Sequence, residues 1–183
     1  MNKESFLSFV AEVAMIVGIA LVIVVPLRYF VFQTFYVKGA SMEPNFHNYE
    51  YLIIDKVSYA RHDPHRGDIV VIHNPQNASE SFIKRVIGLP GETISFQGGK
   101  VYVNGTELDE SAYLAKDVQT MMRGDGVIEV PENSYVVLGD NRAESLDSRY
   151  FGPVDRTEII GRTWLRTWPL KRFTHFTNQN YNI

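Results

Sequence analysis

Between Phe6 and Leu27 the chain reads FLSFVAEVAMIVGIALVIVVPL, an almost unbroken apolar run. At roughly 20 residues it has the length a helix needs to cross a bilayer core about 30 Å thick. Glu12 is its one charged residue and sits toward the amino end. Gly18 and Pro26, poor choices in a soluble helix, are tolerated in membrane helices. A buried core helix is one alternative, and a cleaved signal peptide is the other. Against cleavage, only Lys3 supplies positive charge before the run, and Arg28, Tyr29, Phe30 and Val31 follow it instead of a small-x-small site. The run therefore predicts an uncleaved anchor spanning about residues 6–28. Lys3 and Glu4 cancel while Arg28 and Lys38 lie on the far side, so charge does not orient it.

Beyond the anchor the pattern turns to β. Short runs rich in Val, Ile, Tyr and Phe, bounded by turn residues, predict strands at Phe35–Val37, Tyr51–Ile54, Asp68–His73, Phe82–Ile87, Thr93–Phe96, Lys100–Val103, Val127–Val130, Ser134–Leu138 and Ile160–Leu165. Gly98-Gly99 and Asn104-Gly105 are hairpin turns by composition. Leu108–Met122 has room for a short helix. The expected organisation is a tail and anchor over 1–34 and one mostly β, antiparallel domain over 35–183, with a hairpin-rich elaboration at about 96–131. A formal net charge of −3 argues against a broad nucleic-acid surface. The absence of cysteine removes disulfides, thiolate zinc sites and Cys nucleophiles.

Three clusters do not suit a sheet core. The first, Gly39-Ala40-Ser41-Met42-Glu43-Pro44, sets a serine in a tight bend just past the anchor. The second runs from Phe82 to Gly91 and places Lys84 and Arg85 inside an apolar strand. Alternation sends them to opposite faces, so one cation points toward the more apolar side unless this is a solvated edge strand. The third, Gly139 to Arg149, is dense in acids, amides and arginines, as in a solvated turn or a buried polar network.

A serine hydroxyl needs a base before it can act as a nucleophile. None of the five histidines sits in a triad-like context; His62 and His65 flank Asp63-Pro64 and His73 precedes Asn74-Pro75, both of which read as turns. A lysine can replace histidine only when neutral, which at its reference pKa of about 10.4 holds for on the order of one in a thousand near pH 7. Lowering that value toward neutrality costs about 4 kcal/mol, which burial against apolar neighbours can supply. Phe82, Ile83, Val86 and Ile87 are such neighbours, whereas Arg85 cannot deprotonate. The residues thus point to a Ser41/Lys84 dyad for acyl transfer, with Ser145 or Ser148 orienting the amine.

The three clusters, in this order behind an anchor and together with Gly67-Asp68-Ile69-Val70-Val71, resemble type I signal peptidase, the bacterial leader peptidase. The short chain with one anchor looks like the compact Gram-positive type. The resemblance implies a mostly β fold shared with self-cleaving repressor-type Ser/Lys proteases, and an enzyme that removes signal peptides after a small-x-small sequence. Ser41 would be the nucleophile and Lys84 the general base. Ser145 would hydrogen-bond the lysine, Asp147 with Arg149 would brace the site, and Arg85 would pair with Asp140. The position two before the nucleophile, where some members carry a hydroxyl for the oxyanion, is Gly39 here. Asn45-Phe46 also departs from the Thr-Leu common after the proline. Pocket-lining residues are expected to be Phe35, Val37, Met42, Phe46, Phe82 and Ile83, with Ser81 and Gly39 alongside.

The same resemblance places the catalytic domain outside the bacterial cytoplasmic membrane, which the chain is expected to cross once, as a monomer. Its partners would be the signal peptides of exported preproteins and membrane lipid, not nucleic acid, and no cofactor or metal is expected. Trp164, Trp168 and the cations around them, from Arg162 to Phe173, suit either a membrane interface or a final core strand. A repressor-type self-cleaver and a tethered binding domain remain the rival readings.

Overall fold

The computed structural model describes residues 3–26, 32–122, 126–177 and 181–183. Helix α1, Lys3–Pro26, carries the apolar run as far as Pro26. Its stretch Phe6–Pro26 has a mean hydropathy of 2.7, and none of it is buried by the rest of the chain. A core helix would be covered, so that alternative fails. Residues 27 and 28, where the predicted span ends, lie outside the described residues.

The main sheet uses strands β1 (Phe32–Tyr36), β2 (Tyr51–Asp55), β3 (Ile69–Asn74) and β4 (Asn77–Gly88). The small sheet follows, with β5 (Thr93–Gln97), β6 (Lys100–Val103), β7 (Thr106–Glu107) and β8 (Val127–Glu129). The chain then returns to the main sheet through β9 (Ser134–Leu138), helix α2 (Ser148–Phe151), β10 (Val154–Asp155), β11 (Ile159–Trp168) and β12 (Thr174–His175). The main order is β1-β2-β11-β3-β4-β9-β10, with β12 on β11, and the small order is β7-β6-β5-β8. All these pairings are antiparallel.

Local chemistry sets the turns. Gly98 and Gly99 hold φ of 57° and 80° between β5 and β6, and Asn104 and Gly105 hold 49° and 83° between β6 and β7. Two successive left-handed residues give the type I′ geometry that matches strand twist. Asn74 accepts the Gln76 N–H at 2.9 Å, closing the β3–β4 hairpin. Leu108–Met122 contains no helix; it crosses the small sheet in turns, with Leu108 and Tyr113 in that sheet's core.

β4 decides the architecture of the site. It lies between β3 and β9, but β9 pairs only with Arg85–Gly88, so Lys84 has a strand partner on the β3 side alone. Lys84 stands opposite Val70 and Arg85 opposite Ile69, and these two partners belong to different core clusters. Both faces are covered, and both cations are 2% exposed. One buried cation was expected; the structure buries two.

Candidate active site

The turn carrying Ser41 is built by backbone hydrogen bonds from Glu43 N–H to Ala40 O at 3.0 Å and from Phe46 N–H to Met42 O at 2.9 Å. The Gly139–Arg149 segment holds it in place. Asn141 donates its N–H to Ser41 O at 3.0 Å and its Nδ2 to Ala40 O at 3.1 Å. Arg166 and Arg172 donate to Asn45 O from the other side, at 2.8 and 3.2 Å, and both reach buried Glu50. A Cβ on Gly139 would collide with Ser145 and with the Ser41 carbonyl, so only glycine fits there.

Lys84 Nζ lies 2.8 Å from Ser41 Oγ and donates to Ile83 O at 3.0 Å. The ammonium stands 5.0 Å from the centre of the Phe82 ring. Among the described residues it has no carboxylate partner within ion-pair distance, although Asp140 and Asp147 are near enough to be felt. Both acids are already engaged. Arg85 binds Asp140 through Nε at 2.9 Å and Nη2 at 2.7 Å. Arg149 binds Asp147 through Nε and Nη2, each at 2.8 Å.

Burial is the main influence on Lys84 and outweighs the pull of Asp147 and Asp140, pushing its pKa down from 10.5 to about 8. About one molecule in ten then carries a neutral amine at pH 7. Burial pushes the Asp147 carboxyl up, but Arg149 and the Gly139 N–H outweigh it and leave the group below its ordinary value, hence ionised.

The other predicted residues divide. Ser145 is buried, yet Oγ makes no hydrogen bond of ordinary geometry among the described residues and does not reach Lys84. Ser148 Oγ accepts the Val137 N–H at 2.9 Å and supports β9 instead. Phe35, Val37, Ser81, Phe82 and Ile83 line a cleft of about 90 Å3 that opens at Ser41. Met42 and Phe46 do not; they are 1% and 0% exposed and pack in the core beneath the Ser41 turn. Tyr36, Lys38, Leu52 and Val71 line the cleft in addition. Leu52 and Val71 lie outside the three clusters, and strand pairing brings them to the cleft, Leu52 opposite Phe35 and Val71 opposite Ile83. Gly39 lies outside that lining, with φ of 105°, and its N–H is bound by Asn48 Oδ1 at 2.6 Å. Among the described residues no group of His and acids could hold a metal.

Residues 10–168 match the family described as signal peptidase, peptidase S26. The chain belongs to this family. Signal peptidase relatives align over most of their own length. A probable signal peptidase I-2 of Synechocystis sp. is 42% identical over 84% of this chain and 71% of its own. The signal peptidase I of Bacillus caldolyticus is 40% identical over 85% of this chain and 90% of its own. A solved signal peptidase I from Enterococcus faecalis is 36% identical, with a TM-score of 0.47, covering 55% of this chain and 97% of that one. The exposed apolar helix α1 fits a membrane-anchored signal peptidase.

Proposed function

We propose that this chain removes signal peptides from exported preproteins by Ser/Lys-dyad catalysis, cleaving after a small-x-small sequence. The observation that carries the reading is the buried Lys84 amine 2.8 Å from Ser41 Oγ, with its neighbouring acids occupied by arginines. A neutral Lys84 takes the Ser41 proton as Oγ attacks the scissile carbonyl. The ammonium then returns that proton to the leaving amine. Lys84 next activates the water that hydrolyses the acyl-enzyme. The Ser41 N–H serves the oxyanion; Gly39 offers no hydroxyl and its amide is bound to Asn48, so a further donor must come from elsewhere. Ser145 serves as a buried neighbour that meets the lysine when the site is occupied. No metal or other cofactor enters these steps.

Substrate geometry follows from the sheet. β9 covers β4 only from Arg85 to Gly88, leaving the Ser81–Lys84 stretch open on that side. An extended peptide adds there as a strand, opposite the end of β1, and its alternate side chains enter the cleft. A volume of about 90 Å3 admits only small groups. It is far below the roughly 300–1,000 Å3 of ordinary ligand sites.

The test uses the full chain and Ser41→Ala in detergent with a preprotein ending its signal in Ala-x-Ala. Wild type should give one new amino terminus after the final Ala, and Ser41→Ala none. Changing that Ala to Phe should reduce cleavage at least a hundredfold. Efficient cleavage after Phe would sink the cleft assignment. A cut confined to the protein's own chain would favour a repressor-type self-cleaver, and no cut at all a binding domain.

On this reading helix α1 anchors a monomer in the bacterial cytoplasmic membrane, and the sheet domain works on its outer side; that domain takes in residues 32–34 as the start of β1, short of the expected boundary at 35. Lipid is a second partner. Trp168, Phe173 and Leu170 are each more than half exposed, and Trp168 pairs with Tyr51, whose ring lies 6.4 Å from Tyr36. Such an apolar aromatic patch suits a headgroup layer. In full chain reconstituted in anionic rather than zwitterionic vesicles, tryptophan emission should shift to the blue. The same shift in Trp168→Phe would remove the patch from the interface.

A further inference from the structure

Two openings flank the turn that carries Ser41, and the dyad uses only one. The second is a groove of about 630 Å3 lined on one side by Glu43 and Pro44, two and three residues past Ser41 on the same turn. One wall is the Asp140–Ala143 segment, which already grips Ser41 O and Ala40 O through Asn141. The other is the Leu114–Gln119 stretch crossing the small sheet.

The charges on these walls are unequal in what they offer. Asp140 is consumed by Arg85, and Arg142 by Glu110 at 2.6 Å. Among the described residues Glu43 and Asp117 have no Lys or Arg partner; Glu43 has only His47 Nδ1, 3.6 Å away and itself exposed. The groove therefore presents two uncompensated carboxylates beside apolar Leu114 and Val118.

We propose that this groove receives the mature side of the preprotein, the residues just beyond the cut bond, and that Glu43 and Asp117 select against acidic residues there. The inference rests on the cleavage reading given above. A polypeptide reacting at Ser41 must continue on both sides of the turn. The narrow cleft suits the small residues before the cut, and the wide groove accepts side chains of any size after it. Discrimination on this side is by charge. The product's new amino terminus, mostly protonated at neutral pH, is also a cation. Two exposed carboxylates at low salt are worth on the order of three- to tenfold in kcat/KM between a cationic and an anionic substrate.

Peptides sharing one Ala-x-Ala signal end and carrying Lys, Gln or Glu at the second to fourth mature positions provide the measurement. With full chain in zwitterionic detergent at low salt, Lys peptides should be cut about three- to tenfold faster than Glu peptides. The ratio should fall toward one in Asp117→Asn and in Glu43→Gln with Asp117→Asn, and reverse in Asp117→Lys. Asp117 is exposed, so its variants keep the test independent of the Ser41 turn. Equal cutting of all peptides by wild type, or a ratio unchanged in every variant, overturns the groove assignment and leaves the cleavage reading intact. Failure of wild type to cut any peptide overturns both.

Discussion

Lys84→Met should abolish cleavage and stabilise the fold at the same time. Removing the base from a nucleophile–base unit costs at least about a thousandfold in rate. Stability moves the other way because the native state holds the Lys84 pKa down at about 8, against 10.5 for the unperturbed side chain. Between those values the unfolded chain binds a proton that the folded one does not, so stability rises with pH across this window. The increment is complete above 10.5 and is lost as pH falls through 8. At pH 7 the buried lysine therefore burdens the fold by about 3 kcal/mol, from which the lost Ser41 contact removes about 1 kcal/mol. Urea denaturation of Lys84→Met should show a net gain of about 2 kcal/mol at pH 7 that shrinks by pH 10. Wild-type activity should climb with pH through about 8. Loss of activity without any gain in stability would show that the amine is not desolvated as described.

Asp140→Ala should be the most damaging change outside the dyad. Its carboxylate is fully covered and binds Arg85 twice and Asn45 Nδ2 at 2.8 Å. Its N–H also donates to Met42 Sδ at 3.4 Å. Removing one partner leaves Arg85 buried and unpaired, which costs about 3–5 kcal/mol. That is a large part of the roughly 5–15 kcal/mol by which domains are stable. Glu107→Ala breaks the Lys100–Glu107 pair, which is at least as close at 2.5 Å but solvent-exposed, and should change stability little. Equal losses from the two variants, measured by denaturation, would mean that burial is not what gives the Asp140 pair its weight.

Features fixed by local chemistry were legible in the sequence. Gly98-Gly99 and Asn104-Gly105 require left-handed backbone wherever they occur, and the hairpins stand at those positions. The apolar length of α1 needed no context either. Ser41 and Lys84 could be paired on paper because few residue types supply such chemistry. What escaped depends on neighbours distant in the chain. Met42 and Phe46 look like pocket residues beside a nucleophile, but Phe176, 5.0 Å from Phe46 between ring centres, makes that space core. The solvated-edge reading of Lys84 failed because other parts of the chain, the Ser41 turn among them, bury it although β9 pairs only from Arg85 onward. Leu108–Met122 has helical composition, yet its apolar residues serve a sheet and its polar ones serve Arg142.

Adjacent positions on β4 hold two cations under equal burial, one saturated with acid contacts and one starved of them. The character of the Lys84 amine is thus defined by which carboxylates are kept from it. Grafting a serine and a lysine at the right separation onto another sheet would reproduce the distance but not the reactivity. Such a transplant would also need Arg85 and Arg149 to absorb every acid within reach, so the smallest portable unit of this site is six residues: Ser41, Lys84, Arg85, Asp140, Asp147 and Arg149.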